Sequence, residues 1–238
     1  MTDRPLPPIL GRIRATKEAE IQSLLAVCSE EAWLERARRT AAAEPPRPFR
    51  KPLTADARPP CGLHLIAEVK RASPSKGLIR EDFDPPVLAR AYAEGGATAI
   101  SCLTDADYFR GDGAYVAAIR SAVALPVLRK DFLLHPAQVA EARCLGADAI
   151  LLIARMLPTA RLKDLLAFAR ELGMDILTEA HDPPDVERAL EAGADLLGVN
   201  NRDLDTFTVD PATVERLRPL VPDGVPLVAE SGIVTPED

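Results

Sequence analysis

A helix that ends in glycine and is followed within three residues by an apolar strand is the pattern that recurs along this chain. It occurs at residues 94–100, 145–150, 172–176 and 192–196. Glycine suits the end of a helix because it adopts the left-handed backbone conformation without a Cβ clash. Repeated helix–glycine–strand units are typical of a βα barrel or a doubly wound sheet, so the chain is predicted to be an α/β protein.

Short apolar runs are predicted to be strands, and the amphipathic stretches between them are predicted to be helices. Several runs are apolar at consecutive positions, which is typical of parallel strands buried on both faces. The predicted strands cover residues 65–69, 99–103, 127–129, 149–153, 175–178, 196–200 and 227–230. The predicted helices cover residues 86–94, 114–123, 136–145, 160–172, 183–191 and 211–218.

Polar and ionisable side chains follow many of the predicted strands. A barrel assembles its active site from the carboxyl ends of all its strands at one mouth, whereas a doubly wound nucleotide-binding sheet carries a G-x-G-x-x-G loop after an early strand. No such loop occurs in the sequence. We therefore expect a (βα)8 TIM-barrel type of fold. The strand-end residues are Glu68, Lys70, Ser101, Thr104, Lys130, Asp131, Glu179, Asn200, Arg202, Glu230 and Ser231.

The predicted strand count is seven, one short of the eight that close such a barrel. The chain ends at Asp238, where the helix after the last predicted strand is expected to begin. We expect this chain to lack the last βα unit, as a fragment or a truncated gene product, or to close its sheet differently. A seven-stranded sheet would leave two exposed edges, which invite aggregation or pairing with another chain.

The N-terminal part of the chain differs from the rest. Residues 9–43 have apolar side chains at helical spacing, and Ser29 followed by two glutamates is typical of a helix N-cap, so two helices are predicted. Residues 44–60 are rich in proline and are predicted to be a loop or an extended connector. We therefore predict a helical extension and connector over residues 1–60 and a C-terminally incomplete βα-barrel domain over residues 61–238.

The composition excludes several classes of protein. Apolar residues make up 47% of the chain and the net charge is −7, which argues against intrinsic disorder and against nucleic acid as a partner. The sequence has no apolar run long enough to cross a membrane and no secretory signal. Its four cysteines are widely spaced and are expected to be buried thiols in a reducing cytoplasm, a disulfide pair being the less favoured interpretation.

Glu68 and Lys70 are two residues apart in a predicted strand, so both side chains face the same side. A buried ion pair is costly to assemble, and it is a poor device for stability alone. The pair is either a salt bridge that fills the barrel or an acid/base pair that works on a substrate.

Lys130 ends an apolar strand, where desolvation is expected to disfavour its charged form. That would make it a general acid near neutral pH or a Schiff-base nucleophile; the alternative is a surface lysine. Glu179 ends another strand, and carboxylates and lysines from three strands in one cavity would be typical of paired acid and base roles.

Further candidates could bind an anionic substrate. Arg202 suits a carboxylate or phosphate, although a surface pair with Asp203 or Asp205 is the alternative. Gly232 lets the backbone approach a ligand, or forms a plain tight turn. Hydroxyls of Ser73 and Ser75 lie on a proline-containing loop that could equally be a solvated turn.

Metal and triad chemistry have little support in the sequence. The three histidines, His64, His135 and His181, are scattered, and none lies beside a serine or cysteine nucleophile motif. No histidine or carboxylate metal motif occurs either. We expect neither a metal nor an organic cofactor.

Five motifs in order resemble indole-3-glycerol phosphate synthase of tryptophan biosynthesis, and the resemblance runs from about Ile9 to the end of the chain. The N-terminal helices fit too, because this family has a helical segment before its barrel. The motifs are Ile66–Ser75 (IAEVKRASPS), Ser101–Asp105 (SCLTD) with Tyr108–Phe109, Leu128–Phe132 (LRKDF), Gly198–Leu204 (GVNNRDL) and Ala229–Ile233 (AESGI).

The resemblance implies ring closure with decarboxylation and dehydration of 1-(2-carboxyphenylamino)-1-deoxyribulose 5-phosphate. It implies that Lys130 protonates the ketone oxygen, that Glu179 is the base for the ring nitrogen proton, and that Lys70 and Glu68 supply the acid for dehydration. How the two lysines divide the two steps stays open. It also implies that Asn200, Ser231 and Glu230 position the substrate, that Arg202 and Gly232 bind its phosphate, and that Phe109, Phe132, Leu151 and Ile153 hold its ring, for which aromatic stacking is suited.

Rival interpretations are a phosphoribosylanthranilate isomerase, a Schiff-base aldolase of the same fold, or a non-catalytic fragment that acts by association with another chain. The expected partners are a small-molecule substrate and other tryptophan-pathway enzymes, without nucleic acid or membrane.

Overall fold

The computed structural model describes residues 5–55, 63–204 and 206–235. Its helices are α1 (Pro8–Val27), α2 (Glu30–Ala43), α3 (Arg50–Leu53), α4 (Pro85–Glu94), α5 (Ala106–Phe109), α6 (Ala114–Ala122), α7 (Pro136–Cys144), α8 (Thr159–Glu171), α9 (Pro183–Glu191) and α10 (Ala212–Leu217). Its strands are β1 (Ile66–Val69), β2 (Ala72–Ser73), β3 (Gly77–Leu78), β4 (Ala99–Leu103), β5 (Val127–Lys130), β6 (Ala149–Ile153), β7 (Asp175–Ala180), β8 (Leu197–Asn200) and β9 (Leu227–Glu230). Short 3₁₀ helices cover Ala154–Met156 and Arg218–Leu220.

Within the described residues, one parallel sheet has seven strands in the order β1-β4-β5-β6-β7-β8-β9, with helices between successive strands. All the predicted strands are present, and the βα-barrel type of fold is confirmed. The register brings strand ends level: Leu103 pairs with Lys130, Ile153 with Glu179, and Asn200 with Glu230. Side chains from distant parts of the chain therefore meet at one edge of the sheet.

The core has two parts, one on each face of the sheet. Every residue of β4 and β6 is buried, as expected for strands covered on both sides. One cluster lies between the sheet and its helices, and a second contains Leu128, Leu151 and Leu177 together with Leu10 of α1. The first N-terminal helix is thus part of the core.

The two predicted N-terminal helices are confirmed, and the break between them falls where it was expected. The Ser29 hydroxyl accepts a hydrogen bond from the Ala32 amide at 3.3 Å, which caps the start of α2. Trp33, on the buried side of α2, donates its indole N–H to the Leu24 carbonyl. Helix α2 packs against α7, so the extension is fixed to the barrel.

The proline-rich connector is bound to the sheet by the aspartates that follow the repeated glycines. Asp148 accepts a hydrogen bond from the Arg47 amide at 2.8 Å, and Asp175 accepts from two amides at 2.8 Å. Asp195 pairs with the Arg50 guanidinium at 3.2 Å. The prediction of a loop or an extended connector is therefore incomplete, because this segment forms α3 and is anchored. The predicted domain boundary between residues 60 and 61 lies outside the described residues.

The repeated glycines end their helices in the left-handed conformation that the sequence predicts. Gly96, Gly146, Gly173 and Gly193 have φ between 74° and 94°. Two local features were missed because they are too short to show periodicity: helix α5 and the antiparallel pair β2–β3. Both lie in the connections that follow strands.

Cys28, Cys102 and Cys144 are free thiols, and Cys61 lies outside the described residues. In the described part of the chain, no helix combines the length and apolar character needed to cross a membrane.

Candidate active site

A cavity of about 370 Å³ opens at the carboxyl ends of the strands. Its lining includes every residue to which the resemblance assigns a role except Glu230 and Gly232, and the strand-end residues Ser101 and Thr104 are buried outside it. Those lining residues are Glu68, Lys70, Ser73, Ser75, Phe109, Lys130, Phe132, Leu151, Ile153, Glu179, Asn200, Arg202 and Ser231. The structure therefore brings these residues together, and their individual roles stay predictions.

Lys130 is the cation at the centre of the site. Its Nζ lies 2.9 Å from Glu230 Oε2 and 3.2 Å from Glu68 Oε2. Burial by itself lowers the pKa of Lys130, but the charges of Glu230, Glu68 and Glu179 raise it well above its ordinary value. The expectation that desolvation would favour the neutral amine is therefore wrong. Lys130 is held as an ammonium, so it carries a proton and a positive charge and is not the free amine that a Schiff-base nucleophile requires.

Glu68 bridges the two lysines of the site. Its carboxylate pairs with Lys70 and with Lys130, and both Glu68 and Lys70 are partly exposed at the cavity wall. Burial opposes ionisation, yet the two ammonium groups lower the pKa of Glu68 to about 2. Glu68 is therefore ionised, and its negative charge balances the charges of the two lysines.

Glu230 lies behind Lys130 and is not part of the cavity lining. Burial, together with the nearby Glu179 and Glu68 charges, outweighs the Lys130 contact and raises the pKa of Glu230 to about 7. Gly198 makes room for it: a Cβ at that position would collide with Glu230 Oε1. The GVNN motif therefore has its glycine for a packing reason that the sequence did not show.

Glu179 is 3% exposed, and its Oε1 lies 3.1 Å from His181 Nε2. Burial raises the pKa of this carboxyl, but His181, Lys130 and the Asn200 amide together lower it to about 2. Sequence reasoning missed His181, because a lone histidine after a strand has no distinctive neighbour. Its only signal was its place two residues after Glu179, on the same side of the extended chain.

Asn200 is held in one orientation by its neighbours. Its Oδ1 accepts hydrogen bonds from the Ser231 hydroxyl at 2.9 Å and from the Arg202 amide at 3.0 Å. The Nδ2 group is therefore the one that faces Glu179. The Arg202 guanidinium donates to the Phe207 carbonyl at 3.0 Å. Of the two surface partners considered for Arg202, Asp205 lies outside the described residues.

The loops at the mouth add small polar groups and backbone N–H groups. Ser73 and Ser75 lie on the β2–β3 turn with their hydroxyl oxygens 3.5 Å apart. Ser231 and Gly232 have φ of 66° and 80°, so the backbone after β9 makes a tight left-handed turn. Gly232 is required there, since a Cβ would lie 2.5 Å from Val209 Cγ1.

One wall of the cavity is apolar. The rings of Phe109 and Phe132 have centroids 6.1 Å apart, and Leu151 and Ile153 extend the same surface. Helix α1 completes it with side chains that sequence reasoning did not assign to the site: Ile9, Leu10 and Ile13. Helical periodicity predicted an amphipathic segment over residues 9–43 but could not say what its apolar side chains cover.

Lys17 fixes α1 over the barrel. Its Nζ is buried and lies 2.8 Å from Asp105 Oδ2 and 2.8 Å from Asp131 Oδ1. Burial alone would lower the pKa of Lys17, but the two aspartates raise it. Burial alone would raise the pKa of Asp131, but Arg129 and Lys17 lower it to about 2. The helix that covers the cavity is thus joined to the residue next to Lys130.

Among the described residues, no group of three or more His, Cys, Asp or Glu side chains is arranged to hold a metal ion.

Comparison with known proteins identifies relatives over most of the chain. A family model described as indole-3-glycerol phosphate synthase matches residues 10–238. An indole-3-glycerol phosphate synthase of Desulfotalea psychrophila is 50% identical over 227 residues, covering 94% of this chain and 84% of the relative. That of Chlorobium phaeovibrioides is 52% identical over 176 residues, covering 74% and 68%.

Among solved structures, an N-acetylmannosamine-6-phosphate 2-epimerase from Clostridium perfringens is similar with a TM-score of 0.56 and 19% identity. The match covers 73% of this chain and 79% of that one. At this identity the likeness supports the fold alone.

Proposed function

The chain belongs to the indole-3-glycerol phosphate synthase family, and we propose that the charged cluster around Lys130 carries out the reaction of that family. The protein is a carboxy-lyase of tryptophan biosynthesis. It closes the indole ring of 1-(2-carboxyphenylamino)-1-deoxyribulose 5-phosphate with loss of CO₂ and water, giving indole-3-glycerol phosphate. The family match favours this reaction over those of an isomerase or an aldolase.

Lys130 is proposed to protonate the ketone oxygen as the aromatic carbon attacks. Its three carboxylate neighbours keep it charged, so the proton is present when substrate binds. An ammonium next to the developing alkoxide stabilises negative charge before the proton moves. Closure of the ring then allows CO₂ to leave.

Glu179 is proposed to accept the ring nitrogen proton in the dehydration step. Its low pKa keeps it ionised, which a base requires. Lys70, paired with Glu68 at the cavity wall, is proposed to protonate the departing hydroxyl. An acid and a base on different strands suit a step in which a proton is removed at one atom and added at another.

The two ends of the cavity suit the two ends of the substrate. The carboxyphenyl ring would lie against Phe109 and Phe132, with Leu151 and Ile153 beneath it. The phosphate would be bound at the polar end, where Arg202, the Ser73–Ser75 turn and the backbone N–H groups around Gly232 offer donors. Asn200 and Ser231 would position the groups between them, and Glu230 would act on those groups through Lys130.

The observation that carries the proposal is the position of Lys130 within ion-pair distance of Glu68 and Glu230, in a cavity of about 370 Å³ that has an apolar wall. The test is a steady-state assay with the carboxyphenylamino substrate, following indole fluorescence. Turnover by the chain, and its loss in the Glu179→Gln variant, supports the proposal. A folded chain without turnover contradicts it, and a chain that is a cooperatively folding, monodisperse monomer counts against the association hypothesis.

We further propose that the enzyme works in the cytoplasm, beside other enzymes of the same pathway. The free thiols of Cys28, Cys102 and Cys144 are consistent with a reducing compartment. Cell fractionation and affinity capture of the tagged chain test these two points separately.

A further inference from the structure

His181 lies just after β7, outside the cavity and behind Glu179. Its ring is 4% exposed, with Nε2 3.1 Å from Glu179 Oε1 and Nδ1 3.6 Å from Asp185 Oδ2. Each ring nitrogen is thus within ion-pair distance of a carboxylate, although neither has a hydrogen bond of good geometry among the described residues, and the attraction is electrostatic when the ring is protonated. The geometry is that of an imidazolium held between two anions.

Asp185, the outer carboxylate, is itself held in place. Its Oδ2 lies 3.1 Å from Arg155 Nε and accepts a hydrogen bond from the His181 amide at 3.2 Å. Its Oδ1 lies 3.5 Å from Arg188 Nη1. A row of alternating charges therefore runs from Arg155 through Asp185 and His181 to Glu179.

We propose that His181 is a positioning residue, which as an imidazolium supported by Asp185 holds the Glu179 carboxylate charged and directed at the substrate. This inference rests on the proposed function, in which Glu179 is the base. His181 is not part of the cavity lining, so it acts through Glu179 and not on the substrate.

Stability alone is a poor explanation for this row of charges. Burying an imidazolium between two carboxylates costs desolvation energy, and apolar residues of the same size often stabilise a core better. Glu179 needs a fixed orientation, because a base that is misplaced by about 1 Å loses on the order of 100-fold in rate. A support that reaches from α9 to the carboxylate supplies that orientation.

The charges that surround the pair agree with this geometry. Burial alone would lower the pKa of His181, but Asp185 and Glu179 outweigh both burial and the Arg155 charge and raise it to about 9. Arg155 is held by Asp182 as well as by Asp185. Glu179 also faces Lys130, Asn200 and Glu230. His181 is therefore charged at the pH at which Glu179 must act.

The kinetic test compares His181→Leu and His181→Gln with the wild-type chain. We expect kcat of His181→Leu to fall on the order of 10- to 100-fold with KM within about threefold, because only the base is misplaced. His181→Gln keeps an N–H donor without the charge, so part of kcat is expected to return. In both variants the pKa of Glu179 should rise because it loses a cation, so activity should begin to fall at a higher pH on the acid side of the kcat profile. Thermal unfolding shows that each variant is folded.

His64→Gln is the matched control, because His64 lies two residues before β1 and contacts Thr98 and the Ala55 carbonyl. It should leave kcat and the pH profile unchanged. A folded His181→Leu variant with kcat within twofold of wild type and an unmoved acid limb overturns the inference. If that variant does not fold, the same criterion applies to His181→Gln.

A second measurement does not depend on turnover. The chain has three histidines, so ring ¹⁵N–¹H NMR spectra can be assigned by single substitutions. His181 should stay an imidazolium through pH 8 and lose its proton more readily in Glu179→Gln. Titration near the ordinary value of about 6.5 overturns the ion pair. An inactive wild-type chain with a charged His181 contradicts the proposed function, whereas an active chain with a neutral His181 contradicts this inference alone.

Discussion

The ammonium of Lys130 lies 2.9 Å from the carboxylate of Glu230, 100 positions further along the chain. Glu230 ends β9 and Glu68 lies in β1, the two edge strands of the described sheet. One lysine in β5 therefore pairs with side chains from both edges. The sheet must curl for this contact to form, so the charge cluster and the barrel shape depend on each other.

Replacing Lys130 by Met should lower kcat about 100-fold or more, since the proposed proton donor is lost while the apolar stem remains. Steady-state kinetics with the carboxyphenylamino substrate would measure this. Circular dichroism should show a folded protein. Retention of most of the wild-type rate would mean that another group supplies the proton.

Glu230→Gln should change how stability depends on pH. The pKa of Glu230 is raised to about 7 in the folded chain, so ionising it there costs more than in the unfolded chain. In wild type this penalty develops as the pH rises from about 4.5 to about 7, and Gln cannot ionise.

The unfolding free energy of Glu230→Gln, taken relative to wild type, should therefore increase by on the order of 1–2 kcal/mol as the pH rises from 5 to 8. Urea unfolding at both pH values measures the difference. Glu171→Gln, at an exposed pair with Arg38, is the control and should show no such trend. An equal stability difference at both pH values would contradict the raised pKa.

Lys17→Met should destabilise the chain by about 3 kcal/mol at neutral pH, because it removes the buried cation between Asp105 and Asp131 and leaves Asp131 with Arg129 alone. It should also raise KM, since α1 forms part of the cavity wall. The pKa of Asp131 is about 2, so its share of the stability is present above the ordinary aspartate range and disappears in acid.

The deficit of Lys17→Met should accordingly shrink as the pH falls from 7 towards 3. Chemical unfolding across this range measures it. Lys163→Met, on the exposed side of α8, provides the comparison and is expected to be nearly neutral. Equal effects of the two substitutions would show that the buried cluster is not important for stability.

Phe132→Ala should raise KM about 10-fold and change kcat less, because the ring forms part of the proposed seat for the substrate's aromatic group. Phe83→Ala removes a ring that packs against Tyr115 away from the cavity. It should lower the melting temperature without raising KM. Comparing KM and melting temperature of Phe132→Ala with those of Phe83→Ala separates a loss of substrate binding from a loss of stability.

The fold could be predicted from the sequence because its signals are local. Continuous apolar runs such as AISCL and AILLI are typical of parallel strands buried on both faces, and both form such strands. The glycines at 96 and 146 end helices, where they adopt a left-handed backbone conformation. The strand-end residues could also be grouped into one site, because parallel strands end at the same edge.

The electrostatics of the site could not be predicted, because they depend on contacts between distant residues. The pKa of Lys130 was expected to fall, yet Glu230 and Glu68 raise it from other strands. The sequence does not distinguish Lys17 from the other charged residues of its helix, because its two aspartates lie far along the chain. His181 lacked any motif, and only the fold shows that it lies behind Glu179.

The tether that Lys17 makes has a consequence for the order of folding. Asp105 and Asp131 follow β4 and β5, about 90 and 110 residues after Lys17 in the chain. During synthesis α1 leaves the ribosome long before either aspartate, so the ion pairs of Lys17 form only after both β4 and β5 have been made. Helix α1 is thus fixed over the cavity only after the centre of the sheet has been assembled.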